Sequence, residues 1–131
     1  MGDPVIRVFA ASGRSVLSDV RRFVESETSR DLSHGFVEDL QLAVTEACAN
    51  SIRHSGTAEI RVSIKRADGC VEITVADDGV YRMTLPVIEG EAQSHRGMYL
   101  MAAMVDDFSL HRGRPGGMGT TVRLVKCATD G

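Results

Sequence analysis

The spacing of apolar residues changes several times along the chain, and each change marks an element. Val5 to Phe9 reads V-I-R-V-F, a β-branched and aromatic run that predicts a first strand over Val5 to Ala11. From Ser15 the apolar residues stand at Val16, Leu17, Val20, Phe23 and Val24, helical intervals that predict a helix ending near Thr28. Ser29 to Gly35 is polar. Beyond it Val37, Leu40, Val44, Ala47, Cys48 and Ile52 fall on one broad face, which predicts a long helix over Phe36 to His54, stopped by Gly56. Ala58 to Lys65 and Val71 to Ala76 alternate apolar and polar around Ala67-Asp68-Gly69, the signature of a hairpin. Asp77 to Arg96 is polar and irregular. A short helix from Gly97 to Val105, a strand over Phe108 to Arg112, a turn at Arg114-Pro115-Gly116-Gly117 and a last strand over Thr120 to Lys126 complete the chain.

The order strand, helix, helix, hairpin, loop, helix, hairpin has a topological consequence. Hairpins give an antiparallel or mixed sheet, and three helices of these lengths cover one face of it. The expected fold is α+β, a two-layer sandwich with a mixed, mostly antiparallel sheet and helices on one face. At 131 residues the whole chain, 1–131, is expected to be one domain.

Composition narrows the function. Fifteen Lys and Arg against eighteen Asp and Glu leave a net charge of -3, which argues against nucleic acid as a direct partner. Cys48, Cys70 and Cys127 are odd in number and lack a C-x-x-C spacing, so they read as reduced thiols of a cytoplasmic protein. His34, His54, His95 and His111 are scattered, without metal-ligand spacing. No apolar run approaches the length of a membrane span, and Asp3 and Arg7 interrupt any leader-like start.

Four short patterns carry candidate chemistry. Glu46 and Asn50 lie four apart in the long helix and project from one side. Such a pair is commonly a solvated polar face, but Asn is a poor helix-interior residue, and Ala43, Ala47 and Ala49 leave room for close approach. Val75-Ala76-Asp77-Asp78-Gly79 is an apolar strand running into carboxylates and a glycine, which are also ordinary turn residues. Arg96-Gly97-Met98 opens a short helix, whose unpaired N–H groups suit a phosphate. Gly117-Met118-Gly119-Thr120-Thr121 leads into the last strand, either as a flexible hairpin or as part of a site.

In their order and spacing these patterns together resemble the GHKL ATPase superfamily, and within it the anti-sigma-factor serine/threonine kinases of the RsbW and SpoIIAB type, from about Val5 to Lys126. The resemblance implies a GHKL-type fold and a nucleotide site for ATP and magnesium. In it Glu46 is the general base and Asn50 holds the ion. Asp77 takes the adenine amino group, in a nucleotide-binding box from Val75 to Gly79. Arg96, Gly97 and Met98 lie in the phosphate-binding helix start, with Met104 to Asp107 beyond it. Gly117 to Thr121 is the last box, in which Gly119, Thr120 and Thr121 bind the nucleotide and a Thr reaches the adenine side. It further implies an alternative sigma factor and a STAS-type anti-sigma-factor antagonist as partners, and a homodimer. One Asn oxygen plus phosphates is a plausible magnesium shell, and a carboxylate one turn away is placed to take the proton of an attacking serine. The chain departs from the family pattern at Tyr81, where D-x-G-x-G has its last glycine, and at His95, where the phosphate-binding G-x-G has its first. Val80 to His95 would form the ATP lid. Two rival readings stay open: a non-catalytic binding module of the same fold, and the catalytic domain of a two-component histidine kinase. The latter needs an upstream helix pair with a phospho-acceptor His, whereas this chain opens on a strand.

Overall fold

A computed structural model describes residues 3–54, 56–79, 101–112 and 119–128. Strand β1 spans Val5–Ala10, helix α1 Val16–Thr28, helix α2 His34–His54, β2 Glu59–Ala67, β3 Cys70–Asp77, β4 Asp107–Arg112 and β5 Thr120–Cys127. Residues 101–104 are helical, within the short helix expected before β4. Helix α2 begins two residues before the apolar periodicity does. The cause is Ser33, whose Oγ accepts the N–H of Phe36 at 3.2 Å and so caps a first turn that opens on the exposed His34 and Gly35. Gly56 at φ 66° ends the run in the left-handed region. Asp68 and Gly69, both at positive φ, form the two-residue turn that pairs Ala67 with Cys70.

The strands form one sheet in the order β1-β2-β3-β5-β4, and every pairing is antiparallel. The sheet is thus wholly antiparallel among the described strands. On β3 the buried positions Val71, Ile73, Val75 and Asp77 alternate with half-buried ones, and Thr120, Val122 and Leu124 do the same on β5. Those faces meet Val20, Phe23, Leu40, Val44 and Cys48 of the two helices in one apolar core. The helices therefore cover one face, as a two-layer α+β sandwich requires. Asp77 and Thr120 are the exceptions in this pattern, polar residues on the buried face at the end of the β3 and β5 ladder.

The cysteines depart from expectation. Cys70 and Cys127 are joined by a disulfide, and Cys48 alone is a buried thiol. The reason is register: the β3 and β5 pairing that sets Asp77 against Thr120 at one end sets Cys70 against Cys127 at the other. No local spacing betrays a pair separated by 57 residues. Burial pushes the Cys48 thiol up to about 12. Among the described residues no helix is long and apolar enough to cross a membrane.

Candidate functional site

Where β3 ends, the chain leaves the sheet with its last side chain, Asp77, still turned toward the helices. A carboxylate there must be hydrogen-bonded to be tolerated. Two donors meet it. Ser51 of α2 gives its hydroxyl proton to Oδ2 at 2.6 Å, and the backbone N–H of Gly79 donates to Oδ1 at 3.1 Å. Ser51 is 3% exposed and Asp77 6%. The turn below is held by Thr57, whose Oγ1 accepts the N–H of Asp78 at 3.2 Å and donates to the carbonyl of Glu59 at 2.6 Å. Gly119 packs against this turn, its N–H on the Gly79 carbonyl at 2.9 Å. Its φ of 105°, and the 3.1 Å that would separate an added Cβ from the Asp77 carbonyl oxygen, explain the glycine.

Thr120 faces Asp77 across the ladder and is buried, with an Oγ1 that finds no hydrogen-bond partner among the described residues. Asn50, Ser51 and Thr120 share a cavity of about 10 Å³ with Ala47, Met101, Leu110 and Val122, space on the scale of one water. The helical turn carrying Met101 is tied down by Lys126, whose Nζ donates to the Met104 carbonyl at 2.9 Å and pairs with Asp39 at 3.6 Å.

Asn50 is buried one helical turn beyond the half-buried Glu46. Its Oδ1 accepts Nη2 of the exposed Arg53 at 3.1 Å. An amide oxygen has two acceptor sites, so a hard cation finds a ligand here, but a guanidinium on the same oxygen repels it. Asn50 thus suits magnesium once Arg53 withdraws. Among the described residues no cluster of three His, Cys, Asp or Glu side chains offers a metal a complete protein shell, so most ligands would have to be phosphate oxygens and water.

Asn50, Asp77, Gly79, Gly119 and Thr120 therefore converge at one end of the sheet beneath α2, with Glu46 on the helix above. Thr121 does not join them. It pairs with Ala76 and points from the opposite face, because successive strand residues alternate. Arg96, Gly97 and Met98, like Tyr81, His95 and the expected lid, lie outside the described residues. Ser51 was not a candidate from the sequence. The available signal was a hydroxyl falling beside Asn50 among the small and apolar residues of α2, and its meaning depends on a partner 26 positions away.

A family profile described as histidine kinase-like ATPase domain matches residues 9–126. Several solved structures share the fold. The RsbU and RsbW domains of Rv1364c from Mycobacterium tuberculosis align with a TM-score of 0.72 at 20% identity, covering 96% of this chain and 32% of that one. The chain thus spans about a third of that structure's length. A chain of the SiaB-SiaC complex from Pseudomonas aeruginosa aligns with a TM-score of 0.62 at 14% identity, covering 91% of this chain and 89% of that one. The histidine kinase domain of the blue-light activated histidine kinase from Erythrobacter litoralis EL346 aligns at 0.57 and 16% identity, covering 86% and 59%. No curated protein sequence matches the chain.

Proposed function

Because the chain belongs to the histidine kinase-like ATPase domain family, we propose that it binds MgATP where β3 and β5 end beneath α2, and acts as an anti-sigma-factor serine/threonine kinase. In this reading it sequesters an alternative sigma factor in the cytoplasm as a homodimer, and it transfers phosphate to a serine of a STAS-type antagonist. The observation that carries the nucleotide half is the buried Asp77 carboxylate, held by Ser51 and Gly79 and facing a Thr120 hydroxyl that has no partner among the described residues. A buried acceptor beside a free hydroxyl is complementary to the amino group and ring nitrogen of adenine. Likeness to an RsbW domain and to a chain found in a two-protein complex supports the partner-binding half.

Each residue has a task in this reading. Asp77 reads the base amine, and Asn50 offers an amide oxygen to magnesium. That ion, when bound, would offset phosphate charge. Glu46, half-buried one turn away, accepts the hydroxyl proton of the attacking serine. Gly119 allows the β5 backbone to approach the Asp77 turn. The Arg53 contact to Asn50 favours a second reading, a binding module that holds nucleotide or partner without transfer.

Calorimetric titration with MgATP, followed by transfer assays on STAS-type antagonists, tests the proposal. Micromolar binding, about -8 kcal/mol, is expected. Glu46→Gln should leave that binding intact and slow transfer by ~10²-fold or more. Binding without transfer to any antagonist would favour the module, and absence of nucleotide binding would remove the reading.

A further inference from the structure

The end of the β3 and β5 ladder farthest from Asp77 carries chemistry of its own. Cys70 and Cys127 face each other there, half-buried, on the side of the sheet opposite the helices. A hollow of about 200 Å³ lies on the same side, lined by Lys65, Ala67, Cys70, Glu72, Arg123 and Val125. Cys70 borders it and Cys127 does not, so the two sulfurs of one bond are approached differently.

A thiolate opens a disulfide by attacking one sulfur in line with the bond that breaks, so the direction of access decides which sulfur is taken. This bond runs across the sheet from β5 to β3. Continued past Cys70, its line passes onto β2 over Ala67, the residue paired with Cys70. A methyl group there leaves the approach open. Lys65 stands exposed at the edge of the hollow with no partner among the described residues, and its charge draws an anion inward, whereas Glu72 is already held by Arg123. Continued past Cys127, the line meets the segment before β4. There the Asp106 carboxylate accepts the Cys127 N–H at 2.6 Å, and it repels a thiolate arriving from that side.

We propose that Cys70 is a thiol-exchange site, where a low-molecular-weight monothiol forms a mixed disulfide while Cys127 leaves. This goes beyond the nucleotide reading and does not depend on it. In the step the thiolate sulfur bonds to Cys70 Sγ, the Sγ–Sγ bond breaks, and its electron pair goes to Cys127, which then takes a proton from water. The incoming sulfur is oxidised as that of Cys127 is reduced. A second thiol molecule attacks the adduct at its own sulfur, which frees Cys70 and yields the thiol's own disulfide.

Glutathione serves as the probe. Protein purified without reductant, exposed to glutathione under native conditions, quenched with N-ethylmaleimide and mapped by peptide mass spectrometry should carry glutathione on Cys70 and maleimide on Cys127. Ala67→Leu puts a branched side chain across the approach and should slow adduct formation at Cys70 by about tenfold, an ordinary steric penalty on one transition state. Thermal melts of the oxidised variant establish that it is folded. Asp106→Asn keeps an acceptor for the Cys127 N–H without the charge, and it should raise the share of adduct on Cys127. Wild-type adduct mainly on Cys127, or a pair that opens only after denaturation, overturns the proposal. So does a folded Ala67→Leu protein that matches wild type in both rate and position of the adduct. Titration with MgATP reports on the nucleotide reading separately, so either can fail while the other stands.

Discussion

Reducing the Cys70 and Cys127 pair should cost this fold a large share of its stability, and the size follows from the chain it closes. The bond links residues 57 apart, and the entropy removed from the unfolded chain by closing a loop of that length is worth about 4 kcal/mol. In the folded protein little else depends on it, because the ladder from Cys70 to Asp77 is hydrogen-bonded to β5 throughout. The loss should therefore appear as a lower melting temperature with unchanged secondary structure, by about 15 °C for a domain of this size. Thiol counting supplies an independent measurement. Protein purified without reductant and then denatured should take one alkyl group, at Cys48. After reduction under native conditions it should take two, at Cys70 and Cys127, because Cys48 is buried and its thiol is pushed up to about 12. Three free thiols in the unreduced, denatured protein would refute the pairing and restore the expectation from cysteine spacing. A melting temperature insensitive to reduction, with two thiols nonetheless released, would refute the loop-entropy argument.

Three further outcomes follow from particular side chains. Cys48 has a thiol raised from 9.0 to about 12 in the fold; stability should be full below pH 9 and fall by up to about 1.4 kcal/mol per pH unit as only the unfolded chain ionises, until the folded thiol ionises as well. Comparison of alkaline denaturation curves for wild type and Cys48→Ala isolates that slope, and parallel curves would contradict it. Gly119→Ala combines a φ of 105° with a 3.1 Å approach to the Asp77 carbonyl; it should cost about 2 kcal/mol in urea unfolding, and a loss under ~0.5 kcal/mol, the scale of an ordinary surface change, would show that the turn relaxes freely. Arg53→Ala frees Asn50 Oδ1 and should lower the magnesium concentration needed for half-maximal ATP binding several-fold, roughly the effect of removing one nearby like charge; an unchanged requirement would show that Arg53 does not compete.

What was legible in the sequence was local. The helical spacing of Val16, Val20, Phe23 and Val24, and the alternation in β2 and β3, report the burial of each residue relative to its near neighbours, so the elements and the two-layer class could be read from them. Glu46 and Asn50 could be paired for the same reason, since one helical turn relates them whatever surrounds the helix. Even the early start of α2 had its signal, Ser33, although a capping serine is easily hidden in a polar stretch. The strand order was different. Nothing local states that β5 lies between β3 and β4, and that single choice sets Thr120 against Asp77, turns Thr121 to the other face, and brings Cys127 to Cys70. The bond from Ser51 to Asp77 likewise required α2 to cross above the end of β3. Contacts of this kind depend on register and packing between segments far apart in the chain, where a shift of one residue exchanges the two faces of a strand, and only the assembled tertiary structure decides them.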